Sequence, residues 1–242
     1  MRKLLTLSVM AIFAMNSYSQ SWMDLGIKGG WGINFLYNKN VLDDTQINEK
    51  LSTGYSIGGK LGWNFDDFHE ITFDVMYYSF IQNYKYNEKD SVTGGSPEFD
   101  RSVSFSGMQF MLLYRHNNDG RYVEIGPSLA TMKKLGFTDD QAKYVPTDLD
   151  QYKGTNRFGL VFGFGGYLVG TDNFGITMGF RFNYDFSDAF TEDNMHFPAM
   201  KNYTTAYTQS HPITAMLVME ANLDFAYMAK AKCKNKRKLI LF

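Results

Sequence analysis

Few residues in this chain have types and spacing that could carry chemistry. The stretch GYSIGGK, Gly54 to Lys60, has the glycines and lysine of a phosphate-binding loop. Such a loop also needs a Ser or Thr after the lysine, to hold magnesium, and a helix that opens there. Leu61 stands in that place, and the next residues, Gly-Trp-Asn-Phe, are poor helix formers. The histidines, His69, His116, His196 and His211, do not fall at metal-ligand spacing. His196 and His211, with Ser210 and Asp193, are the set that a rim-located hydrolytic site would draw on, but no spacing rule ties them together. Asp43-Asp44 and Asp139-Asp140 lack the alternating ligands and glycine of a calcium loop and read as solvated charge. No catalytic residue, metal ligand or cofactor site is assigned, and the chain is not read as an enzyme.

The elements that carry these residues explain them better. From Tyr55 to Phe65 the apolar residues Tyr55, Ile57, Leu61, Trp63 and Phe65 alternate with Ser56, Gly58, Lys60, Gly62 and Asn64. Period two is the signature of a strand with two unlike faces. The pattern recurs near residues 24–35, 70–77, 107–115, 122–129, 158–168, 174–187 and 213–227, which makes eight strands of about the ten residues that a tilted membrane strand needs. The connections alternate in length. Residues 66–68, 116–121 and 171–173 are short, while 36–53, 84–101, 132–155 and 188–210 are long and polar. An even strand count with short turns at one end and long loops at the other predicts an all-β, eight-stranded antiparallel up-and-down transmembrane β-barrel, with both termini at the periplasmic side.

Volume decides which face is inside. The apolar faces carry roughly forty large side chains, and an eight-stranded barrel is barely wide enough for its own small interior. The apolar face must therefore point outward, towards lipid. Trp31, Trp63, Phe73, Phe110, Phe162, Phe164, Phe180 and Phe182 are expected to face the bilayer. Aromatic girdles are expected from Trp22, Trp63, Phe65, Tyr114, Tyr122 and Tyr227 at the turn end, and from Phe35, Tyr37, Tyr55, Tyr77, Phe158 and Tyr184 at the loop end. The inward parity carries Lys28, Lys60, Asp74, Arg115, Glu124, Arg181, Asp185, Glu220 and Asp224, with both signs in similar number. In a narrow lumen such charges must neutralise one another, so they are read as a structural plug. If Phe65 pairs with His69, Lys60 stands directly opposite Asp74, close enough for an ion pair.

The chain ends and composition agree. Met1-Arg2-Lys3, an apolar run over residues 4–15 and Ser17-Tyr18-Ser19 form a signal peptide over residues 1–19, cleaved before Gln20. Residues 20–228 are the barrel and 229–242 a basic tail. A formal net charge of -1 points to no nucleic-acid partner, and the single cysteine, Cys233, forms no internal disulfide. With Gln20 after the signal, the opening strand DLGIKGGWGINF and the central MLLYRHNNDGRYVEIGPSLA, the mature chain resembles the Bacteroidetes outer-membrane β-barrel proteins labelled PorT-like or outer membrane protein beta-barrel domain. The resemblance implies an outer-membrane location and little about activity. The expected role is binding or envelope structure, carried by long loops rich in aromatics: Tyr84, Tyr86, Phe99, Phe137, Tyr144, Tyr152, Phe190, Phe197, Tyr203 and Tyr207. Outer-membrane lipid is the expected environment, and an extracellular protein, a glycan or lipopolysaccharide the expected ligand. A secretion-machinery accessory barrel and a narrow solute or ion channel are the alternatives.

Overall fold

The computed structural model describes residues 21–44, 47–87, 98–139, 155–171, 173–190, 208–230 and 237–241. The leader over residues 1–19, Cys233, His196 and Asp193 lie outside them, as do the loop aromatics Tyr144, Tyr152, Phe197, Tyr203 and Tyr207.

Eight long strands close on themselves. They are β1 (Ser21–Asn38), β3 (Ser52–Asn64), β4 (His69–Asn87), β5 (Glu98–Asn118), β6 (Arg121–Asp139), β7 (Asn156–Gly170), β8 (Phe174–Asp185) and β9 (Ser210–Lys230). Each pairs antiparallel with the next, and β9 returns to pair with β1 from Ser21↔Met228 to Asn38↔Ser210. The expected all-β barrel of eight antiparallel strands is the fold observed. A closed barrel leaves no open edge along its staves.

Local chemistry sets the turns. Asp66 Oδ1 accepts from the backbone N–H of Phe68 and His69, at 2.9 and 2.7 Å, and folds the β3–β4 connection. Phe65 N–H donates to His69 O, and the register then runs Trp63↔Ile71, Leu61↔Phe73 and Lys60↔Asp74, as the sequence predicts. The β5–β6 turn places Asp119 at φ 47° and Gly120 at φ 75°. Two successive left-handed residues suit the twist of a tight hairpin, and Asp-Gly is the pair that adopts them at least cost.

Two short strands lie outside the eight expected staves. β2 (Ile47–Lys50) pairs with Asn83–Tyr86 of β4 and continues the line of β3 beyond Leu51. β10 (Arg237–Leu241) pairs with the end of β9, Leu239 facing Met228. Those β9 residues already pair with β1 on one edge, so β10 occupies the other, where β8 has ended at Phe174↔Leu223. Between β1 and β2 lies α1 (Lys39–Asp43), capped by Asn38, whose Oδ1 accepts from Asn40 and Val41 N–H.

The staves are also longer than expected. β5 and β9 run 21 residues each and β4 and β6 run 19. Tyr84 and Tyr86, read as loop aromatics, lie in β4 and are buried, and Phe99 and Phe137 lie in β5 and β6. Phe190, also read as a loop aromatic, is buried. The reason is a change of pattern. Beyond Tyr77 the inward residues of β4 are Tyr78, Phe80, Gln82, Tyr84 and Tyr86, and the outward ones include Ser79, Asn83 and Lys85. Alternation continues, but the apolar face is now inside.

In the turn-side part the outward face is apolar. Ile27 is 72% exposed, and Trp31, Trp63, Phe73, Phe162, Phe164, Phe180 and Phe182 are all exposed. Phe110 is partly exposed on the same face. Tyr122 departs from its expected place in the girdle: it is inward and buried, its ring under the guanidinium of Arg115 at 4.3 Å.

Candidate functional site: the lumenal ion-pair ring and its vestibule

Inward positions of six staves meet at one level of the lumen. Lys28 (β1) reaches Asp74 (β4) at 2.6 Å and Glu220 (β9) at 2.9 Å. Arg181 (β8) reaches the same Asp74 at 3.1 Å and Glu124 (β6) at 2.6 Å. Arg115 (β5) joins Glu124 and Glu220, each at 2.8 Å. The contacts close a ring of alternating sign: Lys28, Asp74, Arg181, Glu124, Arg115, Glu220 and back to Lys28. Arg115 and Asp74 are each 0% exposed. Arg115 grips Glu220 with two nitrogens, Nη1 to Oε1 at 2.9 Å and Nη2 to Oε2 at 2.8 Å. Such bidentate charge-assisted bonds fix orientation as well as energy. The ring fastens opposite sides of the barrel to one another.

Lys60 (β3) hangs from the turn side of the ring. Its Nζ lies 2.9 Å from Glu220, 2.5 Å from Glu70 and 3.1 Å from Asp24. This corrects the expected Lys60–Asp74 pair. The two residues are register partners, as predicted, yet their heads part. Gly62 explains the parting. It is the next inward position of β3, and a Cβ there would lie 2.4 Å from Asp24 Oδ2 and 2.6 Å from Glu70 Oε1. Without a side chain at 62, those carboxylates close over the backbone and Lys60 leans down to them. On the other side Lys28 is the register partner of Gly58 on β3 and reaches one stave further, to Asp74 on β4. Register alone does not select the partners.

Of the charges expected in one network, Lys28, Lys60, Asp74, Arg115, Glu124, Arg181 and Glu220 assemble. Asp185 belongs to a separate group. It takes Arg157 Nε at 2.7 Å and Asn183 Nδ2 at 2.8 Å, and Arg157 also donates to the hydroxyl of Tyr78 at 3.0 Å. Asp224 is half-buried at the mouth below the ring. Sequence reasoning left out Asp24, Glu70 and Arg157. Their signal was available, since all three take the inward parity of their strands.

Above the ring, at the long-loop end, the lumen is packed with apolar side chains. Leu36, Tyr78, Phe80, Tyr84, Val103, Phe105, Met216 and Val218 belong to one buried cluster. Tyr78 stacks on Phe80 at 5.4 Å, and Phe105 lies 5.8 Å from Phe80.

Below the ring the turn-side mouth holds a cavity of about 130 Å³. Asp24, Lys60, Asn64, Asp67, Glu70, Asn117, Asn222 and Asp224 are among its lining residues, with Trp22 and Tyr167.

The other candidates do not form sites. Gly54 to Lys60 is extended strand, not a phosphate loop. Ser210 and His211 point to opposite faces of β9: the hydroxyl of Ser210 accepts from Asn38, and His211 Nδ1 lies 3.2 Å from the carbonyl of Asp185. His69 and His116, far apart in sequence, are register partners with ring centroids 5.1 Å apart. Among the described residues no group of three or more His, Cys, Asp or Glu is placed to hold a metal ion.

No protein-family model matches the chain, and no curated protein matches it in sequence. Solved structures do. The chain is similar to Neisserial surface protein A at 13% identity and a TM-score of 0.42, over 86% of this chain and 99% of that one. It is similar to the outer membrane protein OprG from Pseudomonas aeruginosa at 8% identity and a TM-score of 0.46, over 86% and 96%. The outer membrane protein AlkL aligns at 11% identity and a TM-score of 0.41, over 86% and 92%.

Proposed function

We propose that the chain is an integral barrel of the bacterial outer membrane whose work is done at its long-loop end, as a binding or envelope-structural protein. One observation carries the reading: a closed barrel whose turn-side half turns its large apolar side chains outward and its charges inward. In water that arrangement would expose Ile27, Trp31, Ile57, Phe162 and Phe180 while burying Arg115 and Asp74. Contiguous apolar surface on this scale marks contact with an apolar phase, and lipid is the phase that surrounds a barrel on every side. Strands that cross a membrane must close into a barrel, because no backbone group can be left unpaired in hydrocarbon.

The short turns then face the periplasm with both strand termini, and the long loops face outward. A secretion-accessory role or a solute channel is less well supported, because the ring and the apolar cluster fill the lumen. We place the chain with the Bacteroidetes barrel group on the strength of the stretches quoted above. A ligand at the long loops, whether protein, glycan or lipopolysaccharide, would be met by residues on rigid staves that project past the belt.

Lipid contact is tested with the protein folded into liposomes. Bromine on the acyl chains should quench Trp31 and Trp63, which lie on the outward face. Phe180→Arg should cost roughly 2 to 4 kcal/mol of urea-unfolding stability near the bilayer midplane. Unquenched tryptophans with a silent Phe180→Arg would mean that the belt faces something other than lipid.

A further inference from the structure

A bulge interrupts the ladder between β5 and β6. The register passes from Gly107↔Met132 to Ser106↔Lys134, so Lys133 is an extra residue with no register partner on β5. Up to that point the buried, inward residues of β6 are even-numbered, from Tyr122 through Ala130. Unbroken alternation would send Lys134 inward, into the apolar cluster of the loop-side lumen. The bulge shifts the phase instead. Leu135 packs against that cluster, and Lys133 and Lys134 are both exposed. Two successive ammonium groups are thereby presented outside the barrel.

Register sets their height. Tyr77, Met108 and Thr131 form one outward row across β4, β5 and β6. Tyr77 lies 6.4 Å from Tyr55, ring to ring, in the aromatic girdle at the long-loop end of the belt. The next outward row is Ser79, Ser106 and Lys134, about 7 Å further along the strands. Above it β5 continues outward with Ser104 and Ser102, both half-buried. Aromatic girdles lie at headgroup depth, so the two lysines stand among headgroups rather than acyl chains. No carboxylate takes the outward parity of β4. On β5 the nearest is Asp100, six residues beyond Ser106 and about 20 Å away, where Lys50 already holds it. That distance exceeds the screening length of about 8 Å at physiological ionic strength.

We propose that the β6 bulge is a docking point for a lipid headgroup that ends in a phosphate monoester, gripped by Lys133 and Lys134 together. Two ammonium groups side by side repel each other, and a dianion between them relieves that repulsion. The serine hydroxyls beside them can donate to the remaining phosphate oxygens. The inference rests on the reading that the belt lies in lipid with the long loops outward. It adds one fixed lipid on the β5–β6 side of an otherwise unselective belt.

The probe is phosphatidic acid spin-labelled on its acyl chain, in phosphatidylcholine bilayers that hold the full mature chain. Electron paramagnetic resonance separates lipid restricted at the barrel surface from free lipid. The wild type should prefer labelled phosphatidic acid over labelled phosphatidylcholine. Each lysine near a charged membrane surface is worth roughly fivefold in association. Lys133→Gln/Lys134→Gln should therefore lose at least about tenfold of the preference, while Lys133→Arg/Lys134→Arg keeps it. Lys50→Gln, at the same end of the barrel, should change nothing. The preference should also survive added glycerol phosphate. Full preference in the double glutamine variant, an equal loss in Lys50→Gln, or displacement by glycerol phosphate would each overturn the proposal. The last outcome would assign the bulge to a soluble phosphate. If no lipid of either kind is restricted, the belt does not face lipid, and the proposal falls with that reading.

Discussion

Along β4 one alternation serves two opposite environments. From Glu70 to Val75 the inward residues are Glu70, Thr72 and Asp74, and the outward ones Ile71, Phe73 and Val75. From Tyr78 to Tyr86 the inward set turns mostly aromatic, with Gln82 among it, and the outward set, Ile81 apart, is Ser79, Asn83 and Lys85. The turn-side half is polar within and apolar without. The loop-side half is built as a soluble barrel is, around an apolar core. The period never changes, so the strand is continuous, but the phase of hydrophobicity inverts where the surroundings change. A lumenal charge and a lumenal tyrosine on the same stave therefore hold the barrel by different physics. One relies on ion pairs that must be complete, and the other on packing that tolerates a missing polar partner.

The largest expected effect lies in the charged half. Asp74→Leu removes a 0% exposed carboxylate from Lys28 and Arg181. Breaking one side of a buried pair costs about 3 to 5 kcal/mol, because the other charge stays buried. In urea-unfolding measurements, the Lys28→Met/Asp74→Leu double variant should recover part of its summed losses. Lys60→Met/Asp74→Leu should recover far less, because those two stand opposite without touching. Equal recovery in both cycles would mean that register selects the partners.

A smaller effect, of the opposite sign, is expected in the apolar half. Tyr84 is fully buried, and its hydroxyl has no hydrogen-bond partner. Tyr84→Phe removes an orphaned polar group and keeps the ring, so it should stabilise the barrel, by up to about 1 kcal/mol. A clear loss of stability would show that the hydroxyl is held by something at the long-loop end, and would end the contrast between the two halves.

The smallest effect sharpens the boundary. Glu49 in β2 pairs with Tyr84, beyond the apolar belt, and one carboxylate oxygen is buried without a partner. Burial raises its pKa from 4.5 to about 7. Such an acid holds its proton more tightly when β2 is docked than when it is released, so docking weakens as the proton leaves. Protection of the β2 and β4 amides from hydrogen exchange, corrected for intrinsic rates, should be greatest below about pH 4.5. It should fall as pH rises and level off above about 7. Glu49→Gln should flatten the profile, and a wild-type profile flat over the same range would contradict the assignment.

Much of this was legible in the sequence. Strict alternation through Phe174 to Tyr184 fixes both the strand and its two faces. The β3–β4 register follows from a turn too short to permit much slippage. The loop-side ends of β4, β5 and β6 were not legible as strand, because mixed polar and aromatic residues there match a loop as well as an inverted barrel wall. Tyr122 shows the same limit: its aromatic character suggested the lipid interface, and its inward parity placed it under Arg115.

By itself, the sequence determined the period, the closed all-β class and which parity carries charge, because backbone geometry sends alternate side chains to opposite faces whatever the neighbours are. Only the tertiary structure decided which charges meet. Lysine and arginine side chains reach past their register partners, and where each head settles depends on which carboxylates the other staves bring within reach. Gly62 leaves room for Asp24 and Glu70 beneath Lys60, while Lys28 reaches past β3 to Asp74. No local pattern encodes that choice, since cation and carboxylate lie on different strands, brought together only when the barrel closes.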